Sequence, residues 1–304
     1  MIYDNFSEIS DRFDTLLFDA YGVFWGGAAP IPGSLETMAD QVRQGKPLCI
    51  VSNTSSVGQY TVDDYIRKGV IRGIHYTDVI TSGDVCLDYI RRGLLNVPGP
   101  HVYIIGLSKV DLEAAGYVRV SAPEQADFIF FGAPQFTTEQ RAKYPDNHPD
   151  FLMCFGGTKY DLLSVEPFIP ILEKCRDLNL PAVSTNPDLM ALEQHVNRPC
   201  PDWIIRQGTF SETYRRMGGR VQEFGKPYPE IYRFVFERLH VRPTLRIAMV
   251  GDTFRTDIRG ALDAGITPVW CIETGMAQYE MNRGRNLMTQ AGGSLKGITL
   301  IRHL

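Results

Sequence analysis

Short apolar runs that stop at Gly, Asp, Ser or Asn recur along the chain and alternate with stretches of helical periodicity. That alternation is what βαβ units leave in a sequence, and it restricts the chain to a mainly parallel sheet flanked by helices. Strands are expected at Thr15 to Phe18, Leu48 to Val51, Val102 to Ile105, Phe128 to Phe131, Phe151 to Phe155, Ala182 to Ser184, Ile247 to Val250 and Val269 to Ile272. Most are too apolar for a surface strand. Between them, Leu35 to Gln44, Val57 to Lys68, Val85 to Arg92, Pro167 to Leu178 and Pro229 to Leu239 carry apolar residues at helical spacing, and Ser211 to Met217 and Asp257 to Ala264 read as further helices.

A chain of 304 residues is long enough for two domains. Its 31 basic and 35 acidic side chains are dispersed, with no basic run to neutralise a phosphate backbone, so nucleic acid is not expected as a partner. The most apolar stretches have the length of strands, which leaves no membrane span. Met1 to Asp14 lacks the apolar core of a secretory signal. Six cysteines, at 49, 86, 154, 175, 200 and 271, stand far apart without a C-x-x-C pair, as free thiols of a reducing cytoplasm do. The six histidines show no zinc-ligand spacing.

Four of the turns in this pattern carry residues able to hold phosphate or metal: Asp19, Ser52-Asn53, the Gly225-Lys226 turn before a helix, and Gly251-Asp252. In an open parallel sheet, ligands bind beyond the carboxyl ends of the strands, where residues distant in sequence converge. Each alone has a plainer explanation. An Asp after a strand is commonly a cap or turn residue, Lys226-Pro227 reads as a surface lysine before a helix start, and Asp257 as a solvated helix charge. The set in this order points to a site. Gly219 to Lys226 is no P-loop, because the spacing is wrong and Pro227 stands where Ser or Thr is required.

The segments LLFDAYGVFWGG around Asp19, CIVSNTSS around Ser52, FGKPYPEIY around Lys226 and MVGDTFRTDIRGALDAGI around Asp252 and Asp257 resemble the haloacid dehalogenase superfamily, in its branch of NagD-like and phosphoglycolate phosphatase-like hydrolases. The resemblance spans most of the chain. It implies an α/β fold, a Rossmann-like doubly wound core formed by residues 1–83 and 206–304, with an inserted α/β cap at 84–205. It also implies a magnesium-dependent phosphatase for a small phosphorylated metabolite. Asp19 would attack phosphorus, Ser52 and Asn53 would hydrogen-bond the phosphoryl oxygens, and Lys226 would neutralise their charge. Asp19, Asp252 and the backbone carbonyl of Tyr21 would hold Mg²⁺, with Asp257 supporting them from behind. Asn186 and Asp188, in STNPD, match the cap segment that faces substrate in relatives. Relatives in this branch often dimerise, so a homodimer is one expectation.

Position 21 departs from the family pattern, which places a second aspartate there as general acid and base. A tyrosine, with an ordinary pKa of about 10, is a poor base near neutrality, though it can donate a hydrogen bond. Losing a positioned acid–base group costs roughly 10²- to 10⁴-fold. Slow turnover, dependence on an activated leaving group, or binding without turnover are all consistent with Tyr21. The DAYG tetrad also resembles the 2-haloacid dehalogenases, but Asp252 and Asp257 follow the GDxxxxD pattern of the metal-dependent phosphatases.

Other features read more simply. Gly156-Gly157-Thr158-Lys159 reads as a turn, Phe24 and Trp25 as packing, and Asn96 to Pro100 and Arg141 to Pro149 as loops. The segment 276–304 is polar and Gly-rich until Ile298-Thr299-Leu300-Ile301, where a last strand is expected; its function is unassigned.

Overall fold

The computed structural model describes residues 1–154, 157–195 and 198–304, which fall into two compact units. The first comprises Met1–Ser52, Gly58–Thr81 and Lys226–Leu304. Among the described residues, its sheet has seven strands, all parallel, in the order Ile2–Asn5, Thr299–His303, Thr267–Cys271, Ile247–Gly251, Thr15–Phe18, Leu48–Ser52, Asp78–Thr81. From the interior strand Thr15–Phe18 the chain winds outward one way through Leu48–Ser52 and Asp78–Thr81. It later fills the other side through Ile247–Gly251, Thr267–Cys271 and Thr299–His303. The direction of winding reverses between Thr15–Phe18 and Ile247–Gly251, and such a reversal opens a crevice beyond the strand ends.

Why Thr15–Phe18 lies inside the sheet follows from its composition. Leu16, Leu17 and Phe18 are fully buried, and each is worth roughly 1.5–3 kcal/mol relative to leaving it exposed. Leu16 and Phe18 join Phe6, Leu48, Ile50, Val250 and Val269 in one apolar cluster. The helix Pro229–Leu239 begins with a proline at its first turn and ends at His240 in the left-handed conformation (φ 54°). The last strand occurs as expected, pairing Trp270 with Leu300 and Cys271 with Ile301.

The second unit comprises Asn53–Val57 and Ser82–Gly225. Its main sheet is also parallel, in the order Val221–Glu223, Ala182–Ser184, Phe128–Phe131, His101–Ile105, Val118–Arg119. An antiparallel sheet of Gln135–Thr137, Lys159–Leu162 and Phe151–Met153, and a hairpin of Met190–Glu193 with Asp202–Ile205, complete it. This unit runs past the expected boundary at 205 because Val221–Glu223 pairs with Ala182–Ser184, and because Phe210 and Tyr214 of the helix Gln207–Arg216 join its apolar core. The longer of its two segments begins at Ser82.

The strand expected to end at Phe155 ends at Met153, and Phe155 and Gly156 lie outside the described residues. Gly157, with φ 70°, lies in the turn joining Phe151–Met153 to Lys159–Leu162, where Cys154 N donates to the Lys159 carbonyl at 2.8 Å. Among the described residues no helix is long and apolar enough to cross a membrane. Cys49, Cys86, Cys154, Cys175 and Cys271 are buried, and Cys200 is exposed.

Candidate active site

Strand register in the first unit sets the site. Phe18 pairs with Val250 on one side and Ile50 on the other, so Asp19, Asp252 and Ser52 emerge past the same edge of the sheet. The Asp19 amide donates to the Val250 carbonyl at 2.9 Å, which extends the ladder by one step and fixes the root of the Asp19 side chain. Ser52 is buried at the end of its strand.

Beyond Gly251, the chain makes a π-type turn over Phe254–Ile258, a feature enriched at functional sites. The turn returns Asp257 towards Asp252. The Thr253 amide donates to Asp257 Oδ2 at 3.1 Å, and the Thr253 hydroxyl donates to Asp252 Oδ1 at 3.2 Å. One carboxylate oxygen each from Asp19, Asp252 and Asp257 lies within 4.8 Å of the others. The Lys226 ammonium, 1% exposed, lies 2.5 Å from Asp19 Oδ1 and 2.7 Å from Asp257 Oδ1.

Charge in this cluster is unbalanced: three carboxylates face one ammonium. Burial, reinforced by the charges of Asp19 and Asp257, holds the Asp252 carboxyl well above the usual carboxylate range. The same field reaches further. Burial pushes the Cys271 thiol up, with Asp252, Asp257 and Asp19 adding to it, and burial followed by Tyr21 and Asp19 does the same to Tyr65. A compact group of carboxylate oxygens with excess negative charge suits a hard divalent cation such as Mg²⁺. Asp19 and Asp252 have the chemistry to hold it, with Asp257 and Lys226 set against them.

The loop after Asp19 turns tightly: Gly22 N donates to the Trp25 carbonyl at 2.8 Å, and Trp25 N to the Ala20 carbonyl at 3.0 Å. Gly22 has φ +81°, and a Cβ there would lie 2.3 Å from Asp252 Oδ2. Only glycine fits. Phe24 and Trp25 are buried in the main apolar cluster, as the packing reading expects. Tyr21 is half-buried. The Lys68 ammonium lies 3.4 Å from its hydroxyl, within 5.5 Å of its ring centroid and 4.8 Å from that of Trp25, and 2.7 Å from Asp64 Oδ2.

In the second unit, three other sequence candidates meet. Asn53 Nδ2 donates to Asp188 Oδ1 at 2.8 Å, and the Asp188 amide donates to Asn186 Oδ1 at 2.9 Å.

Several participants escaped the sequence reading. Lys68 carries no motif, and the backbone amide of Met276, which donates to Asp252 Oδ2, lies in the segment that had no assigned function. The Thr274 hydroxyl donates to the Gly22 carbonyl, and Trp270 Nε1 donates to the Asp252 carbonyl at 2.9 Å. Gly22, already visible in DAYG, was the one legible signal among them.

A family model described as haloacid dehalogenase-like hydrolase matches residues 16–117, and one described as HAD-hydrolase-like matches residues 223–284. A glycerol-3-phosphate phosphatase of Mus musculus is 32% identical over 264 residues, covering 81% of this chain and 74% of that protein. A Caenorhabditis elegans protein called a putative NipSnap protein is 27% identical over 286 residues, or 87% of this chain, which spans only 50% of that relative's length. Among solved structures, a haloacid dehalogenase-like hydrolase from Brucella suis 1330 superposes with a TM-score of 0.74 at 22% identity, covering 100% of both chains. NagD from E. coli K-12 superposes at 0.58 with 18% identity over 95% of each. The chain belongs to the haloacid dehalogenase-like hydrolases.

Proposed function

We propose that the protein is a magnesium-dependent phosphatase that cleaves a small phosphomonoester through an aspartyl-phosphate on Asp19. The observation that carries this reading is the Lys226 ammonium bridging Asp19 and Asp257, at 2.5 and 2.7 Å, beside the buried carboxylate of Asp252. Phosphoryl transfer needs positioning and charge stabilisation, and this arrangement offers both. The Asp19 carboxylate attacks phosphorus in line with the departing oxygen. Lys226 neutralises charge on the nucleophile and the transferring group, and the Ser52 hydroxyl donates to a phosphoryl oxygen. Bound Mg²⁺, held by Asp19, Asp252 and the Tyr21 carbonyl, would supply electrostatic stabilisation of the phosphoryl oxygens. Water then attacks the aspartyl-phosphate, regenerating Asp19 and releasing inorganic phosphate.

The name of the mouse relative makes glycerol 3-phosphate a reasonable first substrate to assay. Cysteines that are dispersed along the chain and mostly buried suit a reducing cytoplasm as the place of action. A second reading, binding without turnover, draws support from Tyr21, which stands at the acid–base position with its phenol against Lys68.

Phosphate release from a panel including p-nitrophenyl phosphate and glycerol 3-phosphate, with Mg²⁺ and with chelator, tests the proposal. Release that needs Mg²⁺ and disappears in Asp19→Asn is expected. Binding of inorganic phosphate with no release from any ester would favour the second reading. Halide release from 2-chloropropionate unaffected by chelator would replace both with dehalogenation.

A further inference from the structure

The short segment Asn53–Val57 follows Ser52 directly, yet it packs as part of the second unit. The contacts that hold it are specific. Asn53, 3% exposed, donates its amide to Asp188 Oδ1 at 2.8 Å, and its amide oxygen accepts from the Ser82 hydroxyl at 3.5 Å. Gln207, 2% exposed, donates to the Ser55 hydroxyl at 3.3 Å.

Glycines let the backbones close on this segment. A Cβ at Gly83 would lie 2.4 Å from the Ser55 carbonyl oxygen, one at Gly225 would lie 2.7 Å from Asn53 Oδ1, and one at Gly208 would lie 2.5 Å from the Asp188 carbonyl oxygen. Asp188 is itself oriented, because its amide donates to Asn186 Oδ1 at 2.9 Å. The Asn53 amide is therefore clamped by a charged acceptor whose own backbone is tied down.

We infer that Asp188 is a positioning residue that acts through Asn53 to fix the turn after Ser52, and so sets the affinity for the phosphoryl group, rather than touching substrate itself. The inference rests on the phosphate-site reading of Ser52. A hydrogen bond to a charged acceptor in a buried setting carries enough energy for its loss to weaken phosphate binding about 10-fold. Gln207 braces the same turn at Ser55.

The test is a mutant cycle on the full chain, with inorganic phosphate in the presence of Mg²⁺ as the probe and calorimetric affinity as the main readout. Asp188→Ala should weaken phosphate binding about 10-fold, Asn53→Ala at least as much, and the double variant should be no weaker than Asn53→Ala alone, since the Asn53–Asp188 hydrogen bond is already gone there. Asp188→Asn keeps an acceptor oxygen and should stay within about three-fold of the parent. In turnover assays, KM for p-nitrophenyl phosphate should rise with the phosphate dissociation constant. Circular dichroism melts identify any variant that has lost its fold; if Asp188→Ala has, Asp188→Ser, too short to accept from Asn53, takes its place with the same expectation, and parental phosphate affinity there overturns the inference.

Unchanged phosphate affinity in Asp188→Ala, with only a lower melting temperature, would overturn the inference. So would additive losses in the double variant, which would place Asp188 on substrate independently of Asn53. A parent that binds phosphate without releasing it from esters removes the phosphatase reading and leaves this cycle decisive. A parent that binds no phosphate overturns both.

Discussion

The phenol of Tyr21 lies 3.4 Å from the ammonium of Lys68, and under the proposed mechanism this phenol stands where an acid–base aspartate would be needed. A phenol held by an ammonium can donate a hydrogen bond, but it replaces a carboxylate poorly as a base near neutral pH. Substrates whose leaving group needs no proton should therefore be the best ones. Tyr21→Asp is expected to raise kcat for an alkyl phosphate such as glycerol 3-phosphate by about 10²-fold, while changing p-nitrophenyl phosphate turnover far less. Steady-state kinetics on the two esters, parent against variant, give the comparison. Equal gains on both esters would mean that leaving-group protonation is not what the parent lacks.

Lys226 and Asp257 form a buried ion pair, each side chain 1% exposed, 2.7 Å apart. Removing one partner of such a pair strands the other charge, which costs about 3–5 kcal/mol. Lys226→Met is expected to lose that much stability by denaturant unfolding and to lose phosphate binding. A variant as stable as the parent would show that the three carboxylates do not need the ammonium.

Gly22 touches the carboxylate of Asp252 where no side chain fits. Gly22→Ala must either shift Asp252 or strain a backbone at φ +81°. The expected outcome is a folded protein with phosphatase activity lowered by about 10²-fold or more, the size of effect that a small misplacement in a catalytic constellation produces. A variant with parental kcat/KM would show that the Asp252 position tolerates movement.

Cation and pH act together on Asp252. Its pKa in the fold is raised, mainly by burial and then by Asp19 and Asp257. A raised folded value means that this group stabilises the metal-free fold below the ordinary carboxylate range, and that the contribution is lost as pH climbs through the raised value. A cation binds the ionised form, so stabilisation by Mg²⁺ should grow with pH. At a hundredfold excess over Kd the gain is about 2.7 kcal/mol. The increase in melting temperature on adding Mg²⁺ should be larger near pH 8 than near pH 5. In Asp252→Asn, the metal response should vanish while the metal-free protein melts higher than the parent. A Mg²⁺ response independent of pH, or retained in Asp252→Asn, would move the cation site elsewhere.

The core sheet was legible because its strands are short, apolar and punctuated, and their order in the chain matches the motif order. Asp19, Lys226, Asp252 and Asp257 were readable as a set for the same reason, since each follows a recognisable strand or precedes a recognisable helix. Other parts leave no side-chain pattern. The edge strands Ile2–Asn5 and Asp78–Thr81 have mixed polarity, and the Met276 amide that caps Asp252 is a backbone group any residue supplies. The unit boundary after 205 was missed because the strand Val221–Glu223, three residues with two charges or amides, gains its identity only by pairing with Ala182–Ser184. Lys68 is separated from Tyr21 by 47 residues of chain, and nothing in its local sequence marks the contact.

The central claim is that Asp19 becomes phosphorylated, and the most direct measurement is mass spectrometry of the protein quenched in acid during turnover of p-nitrophenyl phosphate with Mg²⁺. The expected result is a mass increase of one phosphoryl group on the peptide containing Asp19, absent from Asp19→Asn and from samples without metal. Phosphate release with no label on that peptide, or with label retained in Asp19→Asn, would contradict it.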